Sequence, residues 1–294
     1  MKSTPPTLLL TGATGFLGRR LAPVLAASWR VVGASRNASG PDSVRLDLED
    51  ADSVRRAFDA ARPAAVVHCG ALAGPDDCER EPEKARRLNV DAARLVAGLC
   101  GAAGARLIHL STDLVFDGEK GRYAEDDAPR PLSVYGRTKL DAEEAVLAAA
   151  PGACALRVAS VYGRPLGTRT CFVDELRGAL SRGEPIAAFT DQWRTPTDGD
   201  RLGEIVLRLL ADPVLSGVYH WGGAERLTRF ESALLVCRAF GYDERLVRPG
   251  RASEKSFAAP RPRDSSLDSS RLSSALGEAP PSMAAGLAAL KAAS

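Results

Sequence analysis

The chain has 294 residues, of which 45% are apolar and 26% charged, the profile of a folded globular protein large enough for one α/β domain with a smaller second part. Lys and Arg number 39 against 37 Asp and Glu, so the net charge is only +2, which argues against nucleic acid or an anionic membrane surface as a partner. The apolar start, Leu8 to Leu10, is too short for a signal peptide or a membrane span, and no other run approaches membrane length.

The predicted elements alternate. "TLLLTGATGFLGRRLAPVLAA" reads as a strand, a glycine loop and a helix, and "WRVVGASR" as a second strand. "DLEDADSVRRAFDAARP" is a helix opened by acidic residues and closed by Pro63. "AAVVHCGA" has the character of a strand buried on both faces, "EPEKARRLNVDAARLVAGLC" of one long helix, and "ARLIHLST" of the next strand. A helix after Tyr135 and the strand "CALRVASVYG" follow. This alternation predicts a doubly wound parallel sheet of Rossmann type with helices on both faces. Residues 1–160 are expected to form the dinucleotide-binding core. Residues 161–294 are expected to form mainly a small substrate-binding cap, with some segments returning to the core. In that second part, helices are read at "TCFVDELRGALSRG", "TDGDRLGEIVLRLLAD", "TRFESALLVCRAFG" and Met283 to Ala293, and strands at "EPIAAF" and "GVYHWGG". "RPGRASEKSFAAPRPRDSSLDSSRL" has the Pro, Ser and Arg content of a loop or disordered segment.

The six cysteines are scattered, with no CxxC pair and no histidine at zinc-ligand spacing, so no metal is expected and a reducing, cytoplasmic compartment is the simplest reading. His68, His109 and His220 each lie beside or within an apolar run and read as strand-end histidines with ordinary partners.

"TGATGFLG" sets Gly12, Gly15 and Gly18 between a strand and a helix, where a backbone without side chains can approach a pyrophosphate and the helix N-terminus faces the anion. Thr14 lies within this loop, and Phe16 and Leu17 read as first-turn packing with their backbone near the phosphates. The GxxGxxG spacing resembles the extended short-chain dehydrogenase/reductases. The second strand ends in Ser35 and Arg36, about 20 residues past the glycines, where a carboxylate would bind the ribose of NAD. A hydroxyl and a guanidinium there suit the 2′-phosphate of NADPH, with NADH as the alternative cofactor; the competing reading is a solvent-facing arginine at a strand end.

"SVYGRTKLDAEEAVLAAA" carries Tyr135 and Lys139 one helical turn apart on one face. Such a pair is either a surface contact or an acid–base couple in which the ammonium lowers the phenol's pKa. The preceding strand end supplies Ser111 and Thr112, and in the reductases a Ser/Thr–Tyr–Lys triad protonates and polarises a carbonyl while hydride arrives from the nicotinamide. "STDLVFDGEKGRYAEDDAPRPLSVYGRTKLDAE" resembles more narrowly the dTDP-4-dehydrorhamnose reductase family.

That resemblance implies an NADPH-dependent ketoreductase of a nucleotide-linked 4-keto-6-deoxy sugar. It makes Thr112 the triad hydroxyl, with Ser111 turned away, Tyr135 the proton donor, and Lys139 the residue that holds the ribose and tunes the phenol. It places Asp47 and Leu48 by the adenine and Cys69, Gly70 and Ala71 along the cofactor, where the family usually has Asn-Ala-Ala. It gives Asn89 a supporting place by the active site and Asp113 a sugar hydroxyl. Arg261 or Arg263 is either a partner for a nucleotide diphosphate or part of a flexible basic loop. Trp193 and Arg194 either meet the base or sugar, or pack the cap. Leu114 stands where the sugar-nucleotide dehydratases carry a glutamate, which argues against dehydration. A sugar-nucleotide epimerase, or a reductase of another carbonyl, remains an alternative on the same scaffold. So does a non-catalytic NADP-binding subunit like the regulatory subunit of methionine adenosyltransferase, which resembles this family. A homodimer is expected by analogy alone.

Overall fold

The structure is a computed structural model and describes residues 5–167 and 170–293. The core strands are β1 (Thr7–Thr11), β2 (Arg30–Ser35), β3 (Ser43–Arg45), β4 (Ala65–His68), β5 (Arg106–Thr112) and β6 (Cys154–Val158). With β9 (Gly217–Trp221) they make a seven-stranded sheet in the order β3-β2-β1-β4-β5-β6-β9. Every pairing in it is parallel. The three-residue edge strand β3 has no counterpart in the sequence reading, because "SVR" is too short and too polar to show a period.

The pleat sorts the apolar residues into two layers. Leu8 and Leu10 of β1 face one side and Leu9 the other. On the first side they meet Leu21 and Leu25 of α1 (Phe16–Leu25), Leu202, Ile205 and Leu209 of α8 (Gly199–Ala211) and Leu272 of α10 (Ser270–Leu276). On the second side lie Val54 and Phe58 of α2 (Ala51–Ala61), Val96 and Cys100 of α5 (Ala92–Ala103) and Ala142 and Val146 of α6 (Val134–Ala149). Burial on both faces is why the strands read as continuous apolar runs.

The expected long helix over 81–100 forms, with helical dihedrals running unbroken through Arg86, Arg87, Asp91 and Ala92: it runs as α4 (Pro82–Arg86), a π-helical turn over Arg87–Asp91 and α5, and the short α3 (Pro75–Arg80) precedes it. The extra residue of a π turn re-aims one side chain, and here the turn contains Asn89.

The rest of the second half builds the cap. It contains α7 (Phe172–Ser181), β7 (Ile186–Phe189), β8 (Trp193–Arg194), β10 (Leu227–Thr228), α9 (Arg229–Phe240), β11 (Val247–Gly250) and α11 (Met283–Ala292). Its own core joins Val173, Leu180, Val236, Met283 and Leu287. Helix α9 starts in a capping box: Thr228 Oγ1 accepts from Glu231 N at 3.0 Å, and Glu231 accepts from Thr228 N at 2.7 Å. The segment read as loop or disorder over 248–272 is a loop for most of its length, between the end of β11 and the start of α10, but it is packed into the fold: Asp264, Ser265 and Ser266 are buried. Composition misleads there because its polar groups are paired: Ser266 O accepts from Tyr123 N at 2.9 Å, and Asp264 accepts from Arg226 Nε at 2.6 Å.

Helix α6 is fixed to the sheet by a buried ion pair. Arg157 of β6 forks onto Glu143, with Nη2 2.7 Å and Nε 3.0 Å from its oxygens, and both side chains are at most 4% exposed. Ser111 also donates to Glu143, and His220 Nε2 lies 3.2 Å from Arg157 Nη1. Removing one member leaves a buried charge uncompensated. Glu143→Ala is therefore expected to cost about 3–5 kcal/mol in urea unfolding, and the double apolar replacement Glu143→Met with Arg157→Met to recover much of it.

Candidate active site

A cleft of about 730 Å³ opens where the strand order reverses between β1 and β4, at the carboxyl ends of the strands. The glycine loop forms its floor. Gly12 has φ +67°, and a Cβ there would sit 2.9 Å from Gly70 Cα. A Cβ on Gly18 would run into Gly12 O and Ala13. Both positions need the missing side chain to bring strand, loop and helix together. Thr14, Gly15, Phe16 and Leu17 line the same floor.

Ser35 and Arg36 at the end of β2 line the cleft with Asp47 and Leu48. Arg36 is exposed and, among the described residues, has no ion-pair partner. Cys69, Gly70 and Ala71 follow β4 along the wall. Gly70 N donates to Thr11 Oγ1 at 3.2 Å, and Thr11 Oγ1 lies 2.7 Å from His68 Nδ1. Burial pushes the Cys69 thiol up to about 12, so it stays a neutral small wall residue.

Opposite this wall stand Thr112, Asp113, Tyr135 and Lys139, all lining the same cleft. Thr112 ends β5 and accepts from Leu114 N at 3.2 Å, which turns the chain into the short 3₁₀ turn Asp113–Val115. Ser111 points the other way and donates to Glu143, as strand alternation requires. Tyr135 is at the first turn of α6, where Ser133 accepts from Gly136 N at 3.2 Å. Asn89, on the π turn, braces this region: its side chain accepts from Leu72 N at 2.8 Å and donates to Thr138 Oγ1 at 3.0 Å.

The electrostatics differ from the expected couple. Lys139 Nζ donates to Leu110 O at 2.7 Å and lies 3.0 Å from His109 Nε2; among the described residues no hydrogen bond joins it to Tyr135. The Tyr135 phenol is raised above its ordinary value, first by burial and next by the Asp113 carboxylate, while a hydrogen bond with Thr112 acts the other way. The expected lowering of the phenol by the ammonium is thus not what the geometry gives. Burial instead lowers Lys139 to about 8, against the pull of Glu143. His109 is buried and held well below its usual range by burial and by Lys139. A neutral ring that accepts at Nε2 carries its proton on Nδ1, which is buried without a partner. His109 is read in the sequence only as a strand-end histidine and Glu143 is not singled out there, because the contacts that matter, His109 with Lys139 and Glu143 with Arg157 and Ser111, are made between helix α6 and the sheet. Only the spacing of Glu143 four residues past Lys139 could have flagged it.

Asp113 is buried and raised by burial, opposed chiefly by Arg194, whose Nε lies 3.5 Å away. Ser265 also donates to Asp113. Asp113 and Arg194 line the cleft, but each already has a partner in the other. Arg261 lines it too, on a loop, with Nη2 2.7 Å from Asp76. Trp193 does not line the cleft. Its ring lies beneath the guanidiniums of Arg226 at 4.5 Å and Arg263 at 5.4 Å, so it packs the cap. Among the described residues no group of three or more His, Cys, Asp or Glu is arranged to hold a metal ion, and no helix is long and apolar enough to cross a membrane.

The family described as the RmlD substrate binding domain matches residues 6–293. The chain belongs to that family. It is 35% identical over 272 residues to methionine adenosyltransferase 2 subunit beta of Pongo abelii, covering 90% of this chain and 81% of that one. It is 33% identical to the probable low-salt glycan biosynthesis reductase Agl14 of Haloferax volcanii, covering 97% of each. The dTDP-4-dehydrorhamnose reductase of Bacillus anthracis, solved with NADP, superposes with a TM-score of 0.90 at 26% identity, over 99% of this chain and 100% of that one. The doubly wound Rossmann-type fold is that of this reductase, and its bound NADP supports a nicotinamide cofactor for this chain.

Lys139 loses its charge as pH rises through about 8, and an anionic dinucleotide in the cleft would be held best by the ammonium. NADPH affinity, read by fluorescence titration, is expected to fall above pH 8 by up to about tenfold per pH unit. Lys139→Met should flatten the profile. His109→Phe, which removes an acceptor from the ammonium, should move its onset to lower pH, and His109→Gln should restore it.

Proposed function

We propose that the protein is an NADPH-dependent ketoreductase of a nucleotide-linked 4-keto-6-deoxy sugar, of the dTDP-4-dehydrorhamnose reductase type. The observation that carries this reading is that Thr112, Tyr135 and Lys139 line the same cleft as the glycine loop. The cofactor, when bound, supplies a hydride to the substrate carbonyl. Tyr135 gives its phenolic proton to the carbonyl oxygen: the raised pKa makes it a weaker acid than a free phenol but keeps its proton on at neutral pH, and the alkoxide left by hydride addition is a stronger base than the phenolate, so the proton moves to it. Thr112 hydrogen-bonds that oxygen and polarises it. Lys139, anchored on Leu110 O and His109, keeps a remaining N–H for the cofactor ribose. Leu114 lines the cleft where a dehydratase would need an acid, which supports reduction over elimination. Arg36, exposed and unpaired among the described residues, favours the 2′-phosphate of NADPH, and so weighs against the epimerase alternative with tightly held NAD. The free cysteines support a reducing, cytoplasmic setting.

A second reading has its own support. The relatedness to methionine adenosyltransferase 2 subunit beta covers 90% of this chain, and such a protein would bind the cofactor as a partner subunit without turnover. The intact Thr112, Tyr135 and Lys139 constellation favours catalysis.

NADPH oxidation with an enzymatically prepared dTDP-4-keto-6-deoxy sugar separates the two. Turnover is expected, with Tyr135→Phe slowing it by roughly 10²–10⁴-fold while NADPH still binds. Tight NADPH binding with no turnover, together with a stable complex with a methionine adenosyltransferase, would establish the second reading instead. In a parallel binding series, Arg36→Ala is expected to weaken NADPH about tenfold and leave NADH unchanged; equal loss for both cofactors would remove the argument from Arg36.

A further inference from the structure

Arg194, Arg229 and Arg261 all line the cleft, but they are not equivalent. Arg194 is engaged by Asp113 and by Pro262 O, at 3.0 Å from its Nη2. Arg261 is engaged by Asp76 at 2.7 Å and by Ala259 O at 3.1 Å. Arg229 has neither kind of partner. Among the described residues its guanidinium makes no hydrogen bond and no ion pair, and its Nη1 is buried and unsatisfied.

Its position is nonetheless fixed. Arg229 is the first residue of α9, directly after the Thr228 capping box, and its backbone N donates to Gln192 O at 3.3 Å. Its guanidinium carbon lies 4.5 Å from the centre of the Phe172 ring, which holds the plane by stacking. Burial and the nearby Arg194 lower its pKa to about 10, opposed by Asp113 and Glu175, so it carries a full charge at neutral pH. A partly buried cation with an empty planar fork of donors is costly in the free protein, and an oxyanion is the ligand that completes it. Asp113, whose field reaches Arg229, directly follows Thr112, so this charge stands on the sugar side of the cleft.

We propose that Arg229 is the anion-recognition residue of the substrate site, and that it takes an oxyanion of the nucleotide sugar in its guanidinium fork. This rests on the nucleotide-sugar reading above and adds to it that the substrate presents a negative group beside the reacting sugar. A phosphate of the diphosphate link supplies that oxyanion on a 6-deoxy sugar; a carboxylate at C6 shares the chemistry but would make the sugar a uronate instead of the 6-deoxy one.

The test is calorimetric titration of the NADP⁺-loaded protein and its Arg229→Met and Arg229→Lys variants with dTDP, UDP, UDP-glucose and UDP-glucuronate. If the fork takes the phosphate, Arg229→Met weakens all nucleotides that bind by a similar factor of about 10–100. If it takes a sugar carboxylate, only UDP-glucuronate weakens, to the level of UDP-glucose. Arg229→Lys, which keeps the charge and loses the fork, should fall between wild type and Arg229→Met. Unchanged affinities in Arg229→Met, with its NADP⁺ binding and thermal midpoint intact, overturn the assignment while the nucleotide-sugar reading stands. A wild-type protein that binds NADP⁺ but none of the nucleotides overturns both.

Discussion

Helix α6 is tied to the sheet by charges buried beneath it, and the cleft depends on that attachment. Glu143 reaches Arg157 on β6 and Ser111 on β5, while Lys139, one turn earlier, reaches Leu110 O and His109 on β5. These contacts set how far along the sheet the helix sits and which of its faces meets the cleft. Tyr135, one further turn toward the N-terminus, is delivered beside Thr112 by the same register. A helix held by apolar contacts alone tolerates small slides and rotations, whereas a forked Arg–Glu pair with fixed donor directions does not.

The cleft is electrostatically uneven. Beside the glycine loop stands the exposed Arg36, whose guanidinium has no ion-pair partner among the described residues. On the side of Asp113 most charges are already matched, Asp113 by Arg194 and Asp76 by Arg261. Arg229 is the exception. The same desolvation that lowers Lys139 and raises Tyr135 strengthens interactions with any charged group brought into the cleft. Burial therefore sets the proton states of the two central groups in opposite senses: the phenol keeps its proton while the amine comes within reach of losing its own.

Much of this was legible in the sequence. The strand–glycine loop–helix start, the alternation that builds the parallel sheet, and the Tyr135–Lys139 spacing are local patterns, and local patterns follow from periodicity and turn chemistry. The segment around Asp264 was misread for the opposite reason. Its serines and charges look like a solvated loop, yet they are satisfied by Tyr123, Arg226 and Asp113, residues that lie far away in the chain. Composition reports how many polar groups a segment has, not whether distant partners will bury them.

By itself the sequence determined the fold class, the glycine loop between the first strand and helix, and the residues that face one another along a single helix, because each depends on neighbours within a few positions. The tertiary structure decided what those residues touch. It put His109 rather than Tyr135 against Lys139, turned Trp193 into cap packing beneath Arg226 and Arg263, paired Arg194 with Asp113, and left Arg229 without a partner among the described residues. The physical reason is that charge pairing and desolvation are set by groups brought together across strands and between the cap and the sheet, and no spacing along the chain encodes those distances.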